Sequence, residues 1–253
     1  MKKGGKPKPS SNPTAAMIVI GDEILSGRTL DLNTNTLAKK LTHIGVQLLQ
    51  VRIVADLKED IIEAVNSLRT NHTYIFTSGG IGPTHDDITA DSIAGAFGVT
   101  IDVRDDAKKL LATNYKNGEK DLNEARLKMA RIPEGAILID NPISKAPGFC
   151  IENVYVMAGI PQIFNVMLDS ILPSLSGGDP LISVNVKLSY PEGEIAECLK
   201  KLADEYSDVS IGSYPFYKDG FYGTNIVLRH RSRVVLDKVE VALKESMFKK
   251  YKG

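Results

Sequence analysis

Short apolar runs alternate with amphipathic segments through residues 15–175, and this alternation limits the possible folds more than any other feature of the chain. Four apolar runs have the length and composition of buried strands, at 15–20, 46–54, 73–77 and 154–157. Apolar residues recur at helical spacing in four further segments, 33–44, 57–68, 90–97 and 161–175. Because the connections are short, the pattern predicts a mostly parallel sheet covered by helices on both faces.

The remaining segments predict a second, smaller domain. Helices are expected over 104–115 and 121–131, and another strand over 136–139. A cluster of turn-forming residues at 176–180 then marks a boundary. We therefore expect a flexible basic tail at 1–13, an α/β domain at 14–176 and a small α+β domain at 181–253. In the small domain we expect a βαββα order, with strands at 181–188 and 224–229 and helices at 195–206 and 234–248.

Composition excludes several classes of protein. Lys and Arg together number 31, as do Asp and Glu, so the net charge predicts neither a nucleic-acid nor a membrane partner. We find no apolar run of membrane-spanning length. Two cysteines, Cys150 and Cys198, are too few and too far apart for a disulfide framework or a zinc site. These features predict a cytoplasmic protein with reduced thiols.

The segment TSGGIGPTHDDIT, residues 77–89, follows the third predicted strand and is rich in glycine. Gly79, Gly80 and Gly82 would let the backbone approach a ligand closely and direct free N–H groups at an anion. The spacing is neither GxGxxG nor GxxxxGK[ST], which disfavours a Rossmann or Walker-type site. The loop by itself is equally consistent with a tight turn that needs glycine for steric reasons.

Two aspartates, Asp86 and Asp87, stand beside this loop where the next helix is expected to start. One of them could cap the helix, but the second would then face the loop without a neutralising charge. A divalent cation such as Mg²⁺ explains both the glycine-rich loop and the second aspartate, because it binds one or two carboxylates together with phosphate oxygens. Asp22 and Glu23 follow the first strand and Asp56 follows the second, so all five acids are expected at one rim of the sheet. Each acid alone is also consistent with a cap or a turn.

A third candidate element is the Pro/Gly-rich segment 141–149, which is followed after the next strand by Gly159. Ser144 and Lys145 could reach a phosphate from this loop. The alternatives are plain turns and a solvated surface lysine.

These motifs together resemble those of the molybdopterin-binding (MoCF-type) domains. The resemblance rests on Gly21–Ile24, Asn33–Asn35, Ser78–Thr89, Asn141–Gly148 and Gly159–Pro161, in that order. The chain is most similar to the N-terminal domain of the competence/damage-inducible protein CinA and also to that of eukaryotic FAD synthases. It departs from the family at Ala158, where a proline is usual, and at Ile163, where an acid is usual.

The resemblance implies a three-layer α/β/α fold that binds a nucleotide or pterin phosphate. Asp87 matches the acid of the adenylyltransferase motif, and Asp56 matches a second acid. The expected catalytic residues are Asp87, Asp86 and Asp56, and the expected metal ligands are Asp22, Glu23, Asp86 and Asp87. The expected substrate- or phosphate-binding residues are Gly79, Gly80, Gly82, Thr84, Asn141, Ser144, Lys145, Pro147, Gly148 and Gly159.

Three functions are consistent with this resemblance. The first is a pyrophosphohydrolase that uses Mg²⁺, Mn²⁺ or Co²⁺ to cleave ADP-ribose- or FAD-like dinucleotides. The second is adenylyl transfer to molybdopterin, as in molybdenum cofactor biosynthesis. The third is a non-catalytic module that binds molybdopterin or a nucleotide. Relatives self-associate, so a homo-oligomer is also expected.

Overall fold

The computed structural model describes residues 12–218 and 220–252, with the side chains of 249–252 excepted. Residues 1–11 of the expected basic tail therefore lie outside the described part. The chain forms two compact units, of which the first ends at Gly178 and the second begins at Asp179. None of the described helices is both long enough and apolar enough to cross a membrane.

The first unit alternates strands and helices. Its described strands are β1 (Thr14–Ile20), β2 (Gln47–Val54), β3 (Tyr74–Ser78), β4 (Ile101–Val103), β5 (Arg131–Pro133), β6 (Ile137–Ile139), β7 (Gly148–Ile151) and β8 (Val154–Met157). Its described helices are α1 (Asp22–Leu25), α2 (Asn33–His43), α3 (Lys58–Arg69), α4 (Thr89–Phe97), α5 (Asp105–Ala112), α6 (Glu124–Lys128) and α7 (Pro161–Ile171). Single 3₁₀ turns occur at Gly118–Asp121 and Leu172–Ser174.

The main sheet has six strands in the order β2-β1-β3-β8-β7-β6. The four strands from β2 to β8 run parallel, whereas β7 and β6 are antiparallel to their neighbours. The predicted mostly parallel sheet is thus confirmed. Because β1, β3 and β8 are adjacent and parallel, their carboxyl ends meet at one edge of the sheet.

Helices cover both faces of this sheet, which confirms the predicted three layers. On one face, Ile61 and Leu68 of α3 and Ile93 of α4 pack against Ile18 of β1. On the other face, Leu37 and Leu41 of α2 and Phe164 and Leu168 of α7 pack against Met17 and Phe76. The alternation of β1 residues between the two cores follows from the two-residue period of a strand.

Two predictions of local structure were wrong. The helix expected over 121–131 is a 3₁₀ turn followed by the short helix α6, and Arg131–Pro133 is instead a strand that pairs with β4. The end of the loop expected over 141–149 belongs to β7, where Gly148 and Phe149 pair with Ile139 and Leu138. Both errors concern strands of three or four residues, which are too short to show a period.

The second unit consists of β9 (Ile182–Leu188), α8 (Glu192–Glu205), β10 (Ser210–Lys218), β11 (Phe221–His230) and α9 (Arg233–Lys252). This is the predicted βαββα order. The strands form an antiparallel sheet in the order β10-β11-β9. Ile195 of α8 and Leu236, Val239 and Leu243 of α9 pack with Ile226 and Leu228 of β11 to form its core.

Glycine is required where the strands of the first unit end together. Gly79 follows β3 with φ 111°, and its N–H donates to the carbonyl oxygen of Met157 at the end of β8 (3.2 Å). A Cβ on Gly79 would overlap the carbonyl oxygen of Ile20 at the end of β1. A Cβ on Gly159 would lie 3.2 Å from the Cα of Gly79. The three strand ends therefore approach closely because side chains are absent between them.

We predict that Gly79→Ala lowers the free energy of unfolding by about 2–4 kcal/mol, because it combines an unfavourable φ with an overlap of backbone atoms. Urea denaturation followed by circular dichroism measures the change. Gly135→Ala is the matched control, because Gly135 also has a positive φ (81°) but no described atom within 4 Å of the added Cβ. It should lose only about 1–2 kcal/mol. An equal loss of unfolding free energy in the two variants would show that the close approach of the strand ends does not make Gly79 more sensitive to substitution than Gly135.

Candidate functional site

A cavity of about 410 Å³ lies at the carboxyl ends of β1, β3 and β8. The segments that line it come from four separate parts of the chain. The first is Glu23 of α1, and the second is the glycine loop (residues 79–83) with Asp87. The third is Met129 together with Asn141, Ser144 and Ala146. The fourth is the segment after β8, with Ala158, Gly159, Ile160 and Ile163. The fold thus brings together segments that are more than a hundred residues apart in the sequence.

Thr89 binds carbonyl oxygens of the glycine loop, whereas three successive N–H groups of the loop have no acceptor among the described residues. The Thr89 hydroxyl donates to the carbonyl oxygen of Gly79 (3.0 Å), and the Thr89 N–H donates to that of Gly80 (2.9 Å). By contrast, no acceptor within the described residues takes a hydrogen bond from the N–H groups of Gly80, Ile81 or Gly82. Successive free N–H groups at the wall of a cavity are suited to an anion such as phosphate.

Asp87 lies at the cavity wall and is fixed by the turn before it. Its Oδ2 accepts from the Thr84 N–H (2.8 Å) and from the Thr84 hydroxyl (2.5 Å). A Cβ on Gly82 would lie 2.6 Å from the same Oδ2, so glycine also makes room for this carboxylate. Asp87 does not cap α4, which begins at Thr89 and has no side-chain cap. The carboxylate is held within the turn and at the cavity.

Asp86 is exposed in the same turn and does not contribute to the cavity wall. Its pKa is lowered, first by the Thr84 hydroxyl, which it shares with Asp87, then by its own backbone N–H, and less by the positive charges of His85 and Lys128. Lys128 lies close because its Nζ donates to the carbonyl oxygen of Thr84. The cation nearest the turn is therefore Lys128, whereas Lys145 does not line the cavity.

Asp22 and Asp56 form a pair at the rim of the sheet. The Asp22 N–H donates to Oδ2 of Asp56 (2.9 Å), and the Asp56 N–H donates to Oδ1 of Asp22 (3.4 Å). Burial raises the pKa of Asp56, the hydrogen bond from Asp22 partly offsets this, and the negative charges of Asp22, Glu23 and Asp86 raise it further. The rim predicted from the strand ends thus does collect these acids, although only Glu23 and Asp87 line the cavity.

The acids do not form a ready-made metal cage. Among residues 12–218 and 220–252, no group of three or more His, Cys, Asp or Glu side chains is placed to hold a metal ion. A cation at this cavity would have only the carboxylates of Glu23 and Asp87 and would need its other ligands from a phosphate and from water, as Mg²⁺ commonly does.

Asn141 organises the third wall of the cavity. Its buried amide group donates to the Ser144 hydroxyl (2.7 Å) and to the Ala146 carbonyl oxygen (2.9 Å). Its Oδ1 accepts from the backbone N–H groups of Ile143 and Ser144, both at 3.2 Å. Since both amide hydrogens are used within the loop, Asn141 shapes the wall, and Ser144 beside it is partly exposed and lines the cavity.

Three other predicted binding residues, Thr84, Pro147 and Gly148, do not line this cavity, and Thr84 instead holds Asp87. Gly148 is buried in β7, where a Cβ would overlap the carbonyl oxygen of Val156, so its lack of a side chain serves strand packing. Pro147 lines a smaller cavity of about 10 Å³, which Lys128 and Arg131 also line and which shares the glycine loop with the larger cavity.

Part of the cavity wall is apolar. Ala158 and Ile163, the two positions at which the chain departs from the family pattern, both line it together with Ile81 and Met129. Ligand sites commonly combine such a wall with a few fixed polar groups. The arrangement is suited to a ligand that carries both a phosphate and an apolar ring.

Asn33 and Lys128 were missed as site residues by the sequence analysis. Asn33 is buried at the first turn of α2, and its Nδ2 donates to the Ser78 hydroxyl and to the Gly159 carbonyl oxygen, both at 2.7 Å. It therefore joins α2 to two of the cavity segments. Asn33 could have been identified from the sequence, because it is a polar residue at a predicted helix start. Lys128 gave none, because it lies within a predicted helix and its contact is tertiary.

Comparison with known protein families gives two matches. A model described as "probable molybdopterin binding domain" matches residues 16–177, and one described as "FAD synthase, middle domain" matches residues 180–252. The first match includes every residue of the cavity.

Individual relatives agree with these matches. A protein of Archaeoglobus fulgidus is 33% identical over 218 residues, which is 86% of this chain and 92% of that protein. A probable FAD synthase of Caenorhabditis briggsae is 30% identical over 94% of this chain, but the match spans only 50% of the synthase. Among solved structures, CinA of Thermoplasma acidophilum, described as having unknown function, is 31% identical with a TM-score of 0.60, over 65% of this chain and 99% of that one.

The raised pKa of Asp56 predicts a pH dependence of stability. A carboxyl group whose pKa is higher in the folded than in the unfolded state costs stability once the pH exceeds its unfolded value, and the cost is complete above its folded value. Asp56→Asn removes this cost and retains an oxygen that accepts from the Asp22 N–H. The variant should become progressively more stable than the parent as the pH rises above about 4, by less than about 1 kcal/mol because the group is half-exposed.

Urea denaturation at several pH values measures this difference. Asp60→Asn, at an exposed acid on α3, is the control, and its free energy of unfolding should equal that of the parent at each pH. A difference between Asp56→Asn and the parent that shrinks as the pH rises would contradict the assigned direction.

Proposed function

This chain belongs to the family of probable molybdopterin-binding domains and has CinA and FAD synthase relatives, and on that premise we propose that it binds a phosphate-bearing nucleotide in the cavity and cleaves its diphosphate bond. The proposed substrates are dinucleotides of the ADP-ribose or FAD type. The proposed reaction is hydrolysis in the presence of Mg²⁺, Mn²⁺ or Co²⁺, with AMP as one product.

One observation carries this proposal. Backbone N–H groups without an acceptor among the described residues, at Gly80, Ile81 and Gly82, line the same cavity as the carboxylates of Glu23 and Asp87. Phosphate alone would be repelled by the carboxylates, and a cation alone would not need the N–H groups. A metal–phosphate ligand satisfies both sets of groups.

Glu23 and Asp87 would hold the cation together with oxygens of the diphosphate. A divalent cation in this position supplies charge neutralisation at the phosphate oxygens and lowers the pKa of a bound water.

The chain's own residues would position the diphosphate. The glycine-loop N–H groups would bind its oxygens and stabilise the charge that develops on them during cleavage. Ser144 would hold a second phosphate oxygen, and the apolar wall formed by Ile81, Met129, Ala158 and Ile163 would receive a ring. Attack of water forms one P–O bond and breaks the bridging P–O bond. Asp56, at the rim of the sheet, would accept the proton, and burial together with the neighbouring acids raises its pKa and so its affinity for one.

Adenylyl transfer to molybdopterin is the second candidate, and the description of the family model that matches residues 16–177 favours it. The same loop and carboxylates would then bind the phosphates, with the phosphate of the pterin in the place of water as nucleophile. The apolar wall is compatible with a pterin ring as well as with a nucleotide ring.

We predict that Asp87→Asn lowers the rate of AMP release from ADP-ribose or FAD by about a hundredfold or more, because it removes a charge that holds the cation. The measurement is chromatographic detection of AMP after incubation with each substrate and Mg²⁺, Mn²⁺ or Co²⁺. Asp60→Asn is the matched control and should keep the parental rate. The Thr84 N–H can still donate to the amide oxygen of the substituted side chain, so the turn should persist.

The outcomes separate the candidates. AMP release that Asp87→Asn abolishes supports hydrolysis. Transfer of AMP only when molybdopterin is present supports the second candidate. Binding of ADP-ribose or molybdopterin without any turnover of either would identify a non-catalytic binding module and would overturn the proposed reaction.

Lys128 should contribute to ligand binding, because its ammonium group lies at the turn that holds Asp87 and also lines the smaller cavity beside Gly80 and Gly82. Lys128→Ala should weaken the binding of ADP-ribose in the presence of Mg²⁺ about tenfold, as expected for one charge-assisted hydrogen bond. Titration calorimetry measures the affinity. Lys145→Ala is the control, with an expected change of less than about twofold. A larger loss for Lys145→Ala would restore Lys145 as the phosphate-binding cation.

A further inference from the structure

Both helices of the second unit pack on the same face of its sheet. Val184, Ile226 and Leu228 lie on that face and form the core with α8 and α9. The pairing of β9, β10 and β11 has no register shift, so the residues that alternate with these three lie on the opposite face. We call the opposite face the outer face, and it includes Lys187, Tyr214, Phe216, Asn225 and Arg229. All five residues are at least partly exposed.

Two aromatic side chains of the outer face lie against glycine residues. A Cβ on Gly212 would lie 3.0 Å from Cε2 of Tyr214. A Cβ on Gly223, which pairs with Phe216, would overlap Cζ of that ring. The Tyr214 hydroxyl accepts from Nη2 of Arg229 (3.4 Å). The Tyr214 ring therefore lies along the sheet over Gly212, and it remains 48% exposed.

The outer face carries positive charge and no acids. The sequences of β9, β10 and β11 contain neither Asp nor Glu. Nζ of Lys187 lies over the Phe216 ring, 4.6 Å from its centroid. Among the described residues, no carboxylate forms an ion pair with Lys187 or Arg229. The zero net charge of the whole chain conceals this distribution, because acids such as Glu194 and Glu197 are on α8.

Asn225 lies between Lys187 and Tyr214, in one row across the three strands. Within the described part of the chain, its side-chain amide has no hydrogen-bond partner. An amide offers both a donor and an acceptor. Because neighbouring strands are about 4.8 Å apart, the row places a cation, a free amide and an aromatic ring within about 10 Å.

We propose that the outer face binds single-stranded nucleic acid, with a base stacked on Tyr214 and backbone phosphates at Lys187 and Arg229. Proteins that bind single strands combine exposed aromatic rings with cations, because every base has a surface for stacking and every nucleotide carries a charge. The amide of Asn225 would bind the edge of a base. This inference concerns the second unit and does not depend on the reaction proposed for the cavity.

The groups of the outer face favour this ligand over two others. An apolar protein partner would remove Lys187, Arg229 and the Asn225 amide from water without giving them partners, which costs free energy. A phosphate alone would not use the Tyr214 ring. A single strand supplies bases for the ring and the amide and phosphates for the two cations.

Fluorescence anisotropy with labelled strands of about ten uridines or ten thymidines tests the proposal. The full chain is titrated in EDTA, so that a metal-dependent ligand of the cavity does not contribute. We expect a dissociation constant on the order of 1–100 μM, as for binding without sequence preference. Absence of binding to both strands at protein concentrations up to about 100 μM would overturn the proposal.

Tyr214→Ala should weaken binding about tenfold, because it removes the stacking of one base. Tyr214→Phe retains the ring and should stay within about twofold of the parent. Tyr217→Ala is the matched control, because Tyr217 is an exposed tyrosine of the same strand that alternates with Tyr214 and so lies on the opposite face. Equal losses for Tyr214→Ala and Tyr217→Ala would contradict stacking on the outer face.

The salt dependence of binding tests the phosphate contacts separately. Lys187→Ala and Arg229→Ala should each reduce the slope of log K against log salt concentration by about 0.7, the value for one phosphate of a single strand. Lys200→Ala, at an exposed lysine of α8, is the control and should keep the parental slope. An unchanged slope in both outer-face variants would show that these cations bind no phosphate and would overturn the proposed mode of binding.

Discussion

The close approach of the ends of β1, β3 and β8 is the constraint on which the candidate site depends. Gly79 has no side chain, which allows its backbone to pass beside the carbonyl oxygen of Ile20, and Gly159 allows a close approach to Gly79 in turn. The chain after β3 is thereby forced into a loop whose carbonyl oxygens bind Thr89 and whose next N–H groups are left without an acceptor among the described residues. The binding capacity of the loop is thus a consequence of how the sheet ends.

The second constraint is electrostatic. Parallel strands direct Glu23, Asp56 and Asp87 toward one rim, where burial and the charges of neighbouring acids raise the pKa of Asp56. Lys128 offsets part of this charge at the Thr84 turn, but it lines the smaller cavity and not the larger one that Ser144 lines. A ligand that brings its own divalent cation would complete the balance, which is why we favour a metal–diphosphate substrate over a neutral one.

The arrangement of the long elements could be predicted because each has a clear period and a clear end. Gly98, for example, directly follows the predicted helical segment 90–97 and ends α4 with a left-handed φ of 66°. The short strands β4, β5 and β7 were not predicted, whereas the equally short β6 and β8 were, because only these two are apolar throughout. The rim acids were predictable from the strand ends, since the sheet order alone brings Asp22 and Asp56 together.

The roles of individual side chains depended on tertiary contacts that no local pattern shows. Asn141 is of a residue type that commonly binds ligands, yet its amide group donates its hydrogen bonds within its own loop. Lys128 looked like an ordinary helical lysine, yet it contacts a carbonyl oxygen forty-four positions away. Asp86 and Asp87 are adjacent and chemically identical, but only Asp87 accepts from the Thr84 N–H and faces the cavity.

The central claim is that the cavity recognises a diphosphate together with a divalent cation. Titration calorimetry with an ADP-ribose analogue whose bridging oxygen is a methylene group tests it directly, because this analogue cannot be cleaved at that position. The account predicts binding in the presence of Mg²⁺ that weakens at least about tenfold in EDTA, the loss of one direct metal–phosphate interaction. Equal affinity with and without the metal, or no binding in either condition, would contradict it.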